Sequence, residues 1–188
     1  HIYLLCQVYV SYIFNIVTLI NLFIDGSFIG MRETFETDVD RGRQERVAET
    51  VTYLLGQQGK KWSAHATPQY HPLDFYFQDS EDSVVAWGEL KVRNNRHDTF
   101  PTYMVGVSKL NELSNTGKIG FLFVLFTDCL VRVMVQPKQT FKTQHGARSA
   151  QPRDEYDAKG EQCVYFPIEQ LKKFDLPKEA IDYLWNGR

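Results

Sequence analysis

Six consecutive apolar residues, Phe121–Phe126, place the tightest constraint on how this chain folds. A strand without a polar side must be covered on both faces, so it belongs inside a layered structure rather than on an open sheet surface. Leu130–Val135 follows across Thr127-Asp128-Cys129 and is expected to pair with it. Upstream, Leu73–Gln78 and Val84–Val92 read as two more strands, joined by the polar turn Asp79-Ser80-Glu81-Asp82-Ser83 into an antiparallel hairpin.

Helices complete the layers. Over residues 38–58, Val47, Val51, Leu54 and Leu55 form one apolar stripe, with Asp38 or Asp40 as cap and Gly56 or Gly59 as stop. A short strand is expected near Trp62–Ala66 and a loop over residues 94–101. A helix follows over Thr102–Ser114, with Met104, Leu110 and Leu113 inward. Residues 137–162 are polar and turn-rich, the pattern of a long loop or mobile arm. Cys163–Pro167 reads as a last strand, and helices over Ile168–Phe174 and Pro177–Trp185 close the chain. The sum is an α/β fold, a mixed central β-sheet flanked by helices.

The 188 residues suffice for one domain with a substantial core. A net charge of -2 excludes wholesale basic character, so a surface for nucleic acid has to be built by segregating charge. Cys6, Cys129 and Cys163 are far apart and show no zinc-ligand spacing; they read as buried small hydrophobes in a reducing compartment.

Residues 1–30 stand apart. From Ile2 to Ile24 no residue is charged, a length and polarity that fit a membrane span, without the basic start of a secretory signal. The chain begins with His1, and charged residues follow Met31 at once. Three readings stay open: an extension translated from AT-rich non-coding sequence, a membrane anchor, or a buried helix or strand pair. The rest, residues 31–188, is expected to be a single domain. A membrane partner enters only if residues 2–24 are genuine.

The hairpin carries the chemistry. Glu89 and Lys91 are two apart on one strand and share a face, and the turn brings Asp74 on the neighbouring strand close to them. Two carboxylates near each other can hold a hard divalent cation, and a lysine beside them can orient a water and offset charge growing on a phosphate. A Glu-x-Lys triplet by itself is common and often marks only a solvated sheet face. Here it stands on an alternating strand beside a second one.

The segments "YHPLDFYF", "VVAWGELKVRN" and the following "TYMVGVSKLNEL" resemble the PD-(D/E)XK nuclease superfamily, in particular its phage-type and Holliday-junction-resolvase-like members. The resemblance spans about residues 38–135. It implies a restriction-endonuclease-like core with Asp74 and Glu89 as metal ligands, the backbone carbonyl of Leu90 as another, and Lys91 assisting the nucleophilic water. It also implies Mg²⁺ as cofactor, with Mn²⁺ substituting, and DNA as partner. Leu73 stands where the motif has Pro. Many members carry a metal-associated Glu on the upstream helix, where Glu45 is the candidate, although Gln44 lies nearer the buried stripe and Glu49 further round. Lys109, on the helix after the motif, is a second candidate or an ordinary surface lysine.

Arg93 and Arg96 follow the motif, and Lys138, Lys142 and Arg148 make the 132–153 region locally basic. These five are the expected DNA contacts. The leading reading is a Mg²⁺-dependent deoxyribonuclease, endonuclease or exonuclease, with a structure-selective endonuclease or junction resolvase among its forms. A resolvase would be expected to form a homodimer, and the location would be cytoplasmic, in the host cell if the gene is phage-borne. A non-catalytic nucleic-acid-binding module on the same fold and a membrane-anchored protein are the alternatives.

Overall fold

The computed structural model describes residues 37–68, 70–146 and 160–187. The apolar segment 1–30, Cys6 and Arg148 lie outside them.

Helix α1 (Asp38–Gln57) starts at Thr37 rather than at an aspartate. The Thr37 hydroxyl accepts from Asp40 N–H at 3.2 Å and the Asp40 carboxylate accepts from Thr37 N–H at 3.2 Å, a reciprocal cap that satisfies two donors of the first turn. Its inward stripe is Gln44, Val47, Ala48, Val51 and Leu55. Then come β1 (Ser63–Ala66), β2 (Phe75–Gln78), β3 (Val84–Val92), β4 (Thr102–Gly106) and α2 (Val107–Asn115). The chain continues through β5 (Ile119–Leu125), β6 (Leu130–Val135), β7 (Gln144–Gly146), β8 (Glu161–Pro167), β9 (Lys172–Lys173) and α3 (Lys178–Asn186).

Among the described residues the main sheet has the order β1-β2-β3-β5-β6-β9, and β4-β8-β7 form a second sheet. The pair β3–β5 is parallel and the other neighbours are antiparallel, so the central sheet is mixed and flanked by helices, as expected. Strand β5 is buried on both sides. Phe121, Phe123 and Leu125 pack with Phe75, Phe77, Ala86 and Leu90 under α1 and α3. Leu122 and Val124 pack on the other face with Leu110 and Leu113 of α2 and with Tyr103, Val105 and Val164 of the second sheet.

Three expectations are corrected. The helix expected over Thr102–Ser114 begins only at Val107, because Thr102–Gly106 is a strand with alternating burial that pairs with β8. Aromatic and β-branched residues suit that pleated surface, and Met104 is accordingly half-buried while Tyr103 and Val105 point inward. Within the supposed loop 137–162, Gln144–Gly146 is a strand that finds the free edge of β8. The helix expected over Ile168–Phe174 is a single 3-10 turn, Ile168–Gln170, followed by β9. Its two lysines line a sheet edge, where charge discourages further pairing. No helix among the described residues is long and apolar enough to cross a membrane.

Gly120 sets how closely α2 approaches the sheet. A Cβ there would stand 2.8 Å from Leu113 Cβ and 3.3 Å from Val135 Cβ, neither of which can swing away. Gly120→Ala is therefore expected to destabilise the protein by about 1–3 kcal/mol through overpacking. That outweighs the roughly 0.4–1 kcal/mol gained by stiffening the unfolded chain. Urea unfolding of the two proteins checks it, and an unchanged midpoint would show that α2 does not rest on this glycine.

Candidate metal centre

The hairpin register pairs Phe75 with Gly88, so one step further Asp74 faces Glu89. Residues opposed in an antiparallel pair project to the same face. Asp74 is the last residue of this edge to keep its main-chain bond, donating N–H to Gly88 O at 3.1 Å. One residue on, the partner strand is gone and the Asp74 side chain replaces it, accepting Leu90 N–H at 2.7 Å. On its other side Asp74 O accepts Thr67 N–H at 2.9 Å, and the buried Thr67 hydroxyl donates to Leu73 O at 2.5 Å. The aspartate is thus held from two strands, by contacts invisible in the spacing of the motif.

Glu89 is 1% exposed, on the sheet face that α2 and the second sheet cover. Lys91 Nζ donates to its Oε1 at 2.6 Å, and Lys109 Nζ stands 3.8 Å from the same oxygen. Its Oε2 is buried and has no hydrogen-bond partner among the described residues. Lys109 also donates to Pro72 O at 2.5 Å and to Glu112 at 3.0 Å, tying α2 to the loop that delivers Asp74. Of the two readings open for this lysine, the structure places it at the carboxylates.

Burial, followed by the charge of Glu89, raises the Asp74 pKa to about 7; the Leu90 N–H and the two lysines oppose this. Two carboxylates in such a place repel each other and are poorly hydrated, and the lysines offset only part of that cost. An inward Glu89 oxygen without a donor, a second carboxylate opposite, and a main chain whose partner strand has just ended make a set of hard oxygen donors. That set fits a Mg²⁺-like cation.

The remaining candidates fall elsewhere. Glu45 is solvent-exposed on α1, which packs on the opposite face of the sheet, and Gln44 is the residue its inward stripe buries. Glu49 is also exposed and accepts from the Tyr183 hydroxyl at 3.2 Å. Arg93 continues the two-residue spacing of Glu89 and Lys91 and lies over the Tyr103 ring, 5.2 Å from its centroid. Arg96 is engaged by Asp98 at 3.3 Å and Asp128 at 3.5 Å. Lys138 is exposed and donates its N–H to Ser114 O at the C-terminal end of α2, and Lys142 is exposed.

A second cluster escaped sequence reasoning. His97, Asp128 and Cys129 bring ligand-type atoms within 4.8 Å of one another. Its contacts explain it without a metal. Asp128 accepts both the backbone N–H of His97, at 2.9 Å, and its ring Nδ1, at 2.8 Å, which pins the 94–101 loop to the β5–β6 turn. Burial pushes the Cys129 thiol up to about 11, away from the thiolate a metal would need.

Comparison with protein families matches residues 30–174 to the family described as "Phage putative PDDEXK endonuclease". Neither the curated proteins nor the solved structures give a match.

The Asp74 shift has a signed consequence for stability. In the folded protein this carboxyl keeps its proton to about pH 7, whereas the unfolded chain releases it near the ordinary value of 3.8. Between these values the folded state binds the extra proton, so without metal the group makes the protein less stable as pH rises from about 4 to 7. The ceiling is on the order of 4 kcal/mol, lowered because Asp74 is only half-buried by its accessible surface. Asp74→Asn is expected to flatten that fall. Denaturant unfolding in a chelating buffer at pH 5 and pH 8 measures it, and parallel pH trends in both proteins would contradict the assignment.

Proposed function

The chain belongs to the phage PDDEXK endonuclease family, and from that premise we propose that residues 31–188 act as one nuclease domain that hydrolyses DNA phosphodiester bonds at the Asp74–Glu89–Lys91 centre. The observation that carries this reading is the buried Glu89 carboxylate, with Lys91 on one oxygen and no donor on the other, facing a second carboxylate whose proton is loosely held near neutral pH. A folded protein retains so costly an arrangement where a cation completes it.

Asp74, Glu89 and the Leu90 carbonyl would hold Mg²⁺, with Mn²⁺ able to substitute. The Leu90 carbonyl points the same way as its N–H, to the side of β3 that β2 no longer covers. The ion, when bound, supplies Lewis acidity toward the phosphate and lowers the pKa of a water. The Lys91 side chain is partly exposed and pre-aimed by Glu89, so its ammonium can orient the attacking water and donate to a phosphate oxygen. Lys109 adds a second positive charge on the same side. Arg93, four residues along the strand from Glu89, grips the flanking phosphate. Water adds to phosphorus, one P–O ester bond breaks, and a phosphate monoester and a hydroxyl end are released. A structure-selective endonuclease or junction resolvase, dimeric in the latter case and acting in the host cytoplasm, is the form we favour.

The full chain is expected to cut DNA with Mg²⁺ or Mn²⁺ and not in a chelator. Glu89→Gln and Lys91→Met, each checked for folding by circular dichroism, are expected to lose about 10²–10³-fold or more in rate. Cutting by folded Glu89→Gln at the wild-type rate would overturn the assignment.

A further inference from the structure

Just past the end of β3, at Arg93, lies a cavity of about 460 Å³, lined also by residues from the 94–101 loop, β4, β8 and the end of β5. We propose that it receives the base of an unpaired nucleotide, so that the DNA cut here is single-stranded, bulged or branched next to the scissile bond. This deepens, and rests on, the nuclease reading.

The volume is that of a small-ligand site, and the lining has the chemistry of a base pocket. Phe100, 61% exposed, stands at the rim, and Phe126 and Tyr103 form aromatic walls. Among the described residues, Arg93 supplies a cation to the lining and no carboxylate does, which suits a polyanion. The Tyr103 side chain is 4% exposed and its hydroxyl is buried with no hydrogen-bond partner among the described residues. A buried hydroxyl left unmatched in this way is costly, and a base edge would supply both donors and acceptors. Burial pushes the Tyr103 pKa up to about 12, so the hydroxyl stays protonated and able to donate.

Position links the cavity to the chemistry. Glu89 and Lys91 share one face of β3 and Arg93 follows just past its end at the same two-residue spacing, so an extended chain separates the first from the last by roughly 13 Å. An extended strand with its phosphate at the carboxylates would carry a neighbouring base to the Arg93 end. A base stacked and paired inside a duplex cannot enter; one already unpaired does so without unstacking cost. The walls are also set in advance. Asn95 O accepts from Thr127 N–H at 3.2 Å, Asp128 fixes His97, and Pro101 O accepts from Ile168 N–H at 3.0 Å.

The test places 2-aminopurine in a single-stranded oligonucleotide, in a bulge and in a fully paired duplex, each titrated with the full chain in a chelating buffer. Fluorescence is expected to change for the first two and stay constant for the duplex. Phe100→Ala is expected to weaken single-strand binding roughly ten- to hundredfold with duplex binding unchanged. Tyr103→Phe is expected to weaken it about two- to tenfold. Equal responses from all three DNAs, or a Phe100→Ala protein that binds like wild type, would overturn the proposal. A parallel Mg²⁺ assay separates the two readings. Cutting of paired duplex as fast as of bulged DNA removes the base pocket and leaves the nuclease. Base entry that Phe100→Ala abolishes, with no DNA cut under any condition, leaves the pocket and removes the nuclease.

Discussion

A carboxylate buried at the floor of a sheet, one oxygen clamped by an ammonium at 2.6 Å and the other unmatched, is the contact around which this protein is arranged. Taking such a charge out of water costs several kcal/mol unless neighbours compensate. Two ammonium groups compensate, Lys91 from the same strand at 2.6 Å and Lys109 from the helix laid across it at 3.8 Å, while Asp74, the second acid opposite, adds to the cost. Each depends on a different part of the fold. Lys91 needs only the pleat. Asp74 needs the hairpin register. Lys109 needs α2 to lie close, which Gly120 permits.

How much of this was legible follows from the range of each contact. Asp74, Glu89 and Lys91 could be read because period-2 spacing and one turn suffice to bring them together. Lys109 could be placed on the right helix although that helix was begun five residues too early, since the Leu110 and Leu113 spacing survives the error. The strand Thr102–Gly106 was missed because its partner β8 lies some sixty residues on, and pairing, not local preference, decides it. Where Glu45 stands was not legible for a related reason: helix periodicity gives a face but not which side of the sheet the helix covers.

The base pocket lay beyond sequence reasoning altogether. Its walls come from a loop and three strands, and no periodicity connects Phe100, Tyr103, Phe126 and Tyr165. Electrostatics shows the same divide. A chain of net charge -2 gives no hint that Lys91 and Lys109 meet at one carboxylate while Arg93 lies over the Tyr103 ring. Arg96, equally basic on paper, is engaged by Asp98 and Asp128, whereas Lys138 keeps an exposed side chain beside the end of α2.

The two halves of the centre also differ in contact order. Asp74 and Glu89 meet through a hairpin closed by a five-residue turn, whereas the cover over them arrives by the β3-to-β5 crossover, which carries β4 and α2. Closing the first loop costs little chain entropy, and closing the second costs more. Local opening of the crossover would therefore hydrate the acidic pair without parting it. Proximity of the two acids and their dryness are separately adjustable properties: the turn governs one, the lid of helix and second sheet the other.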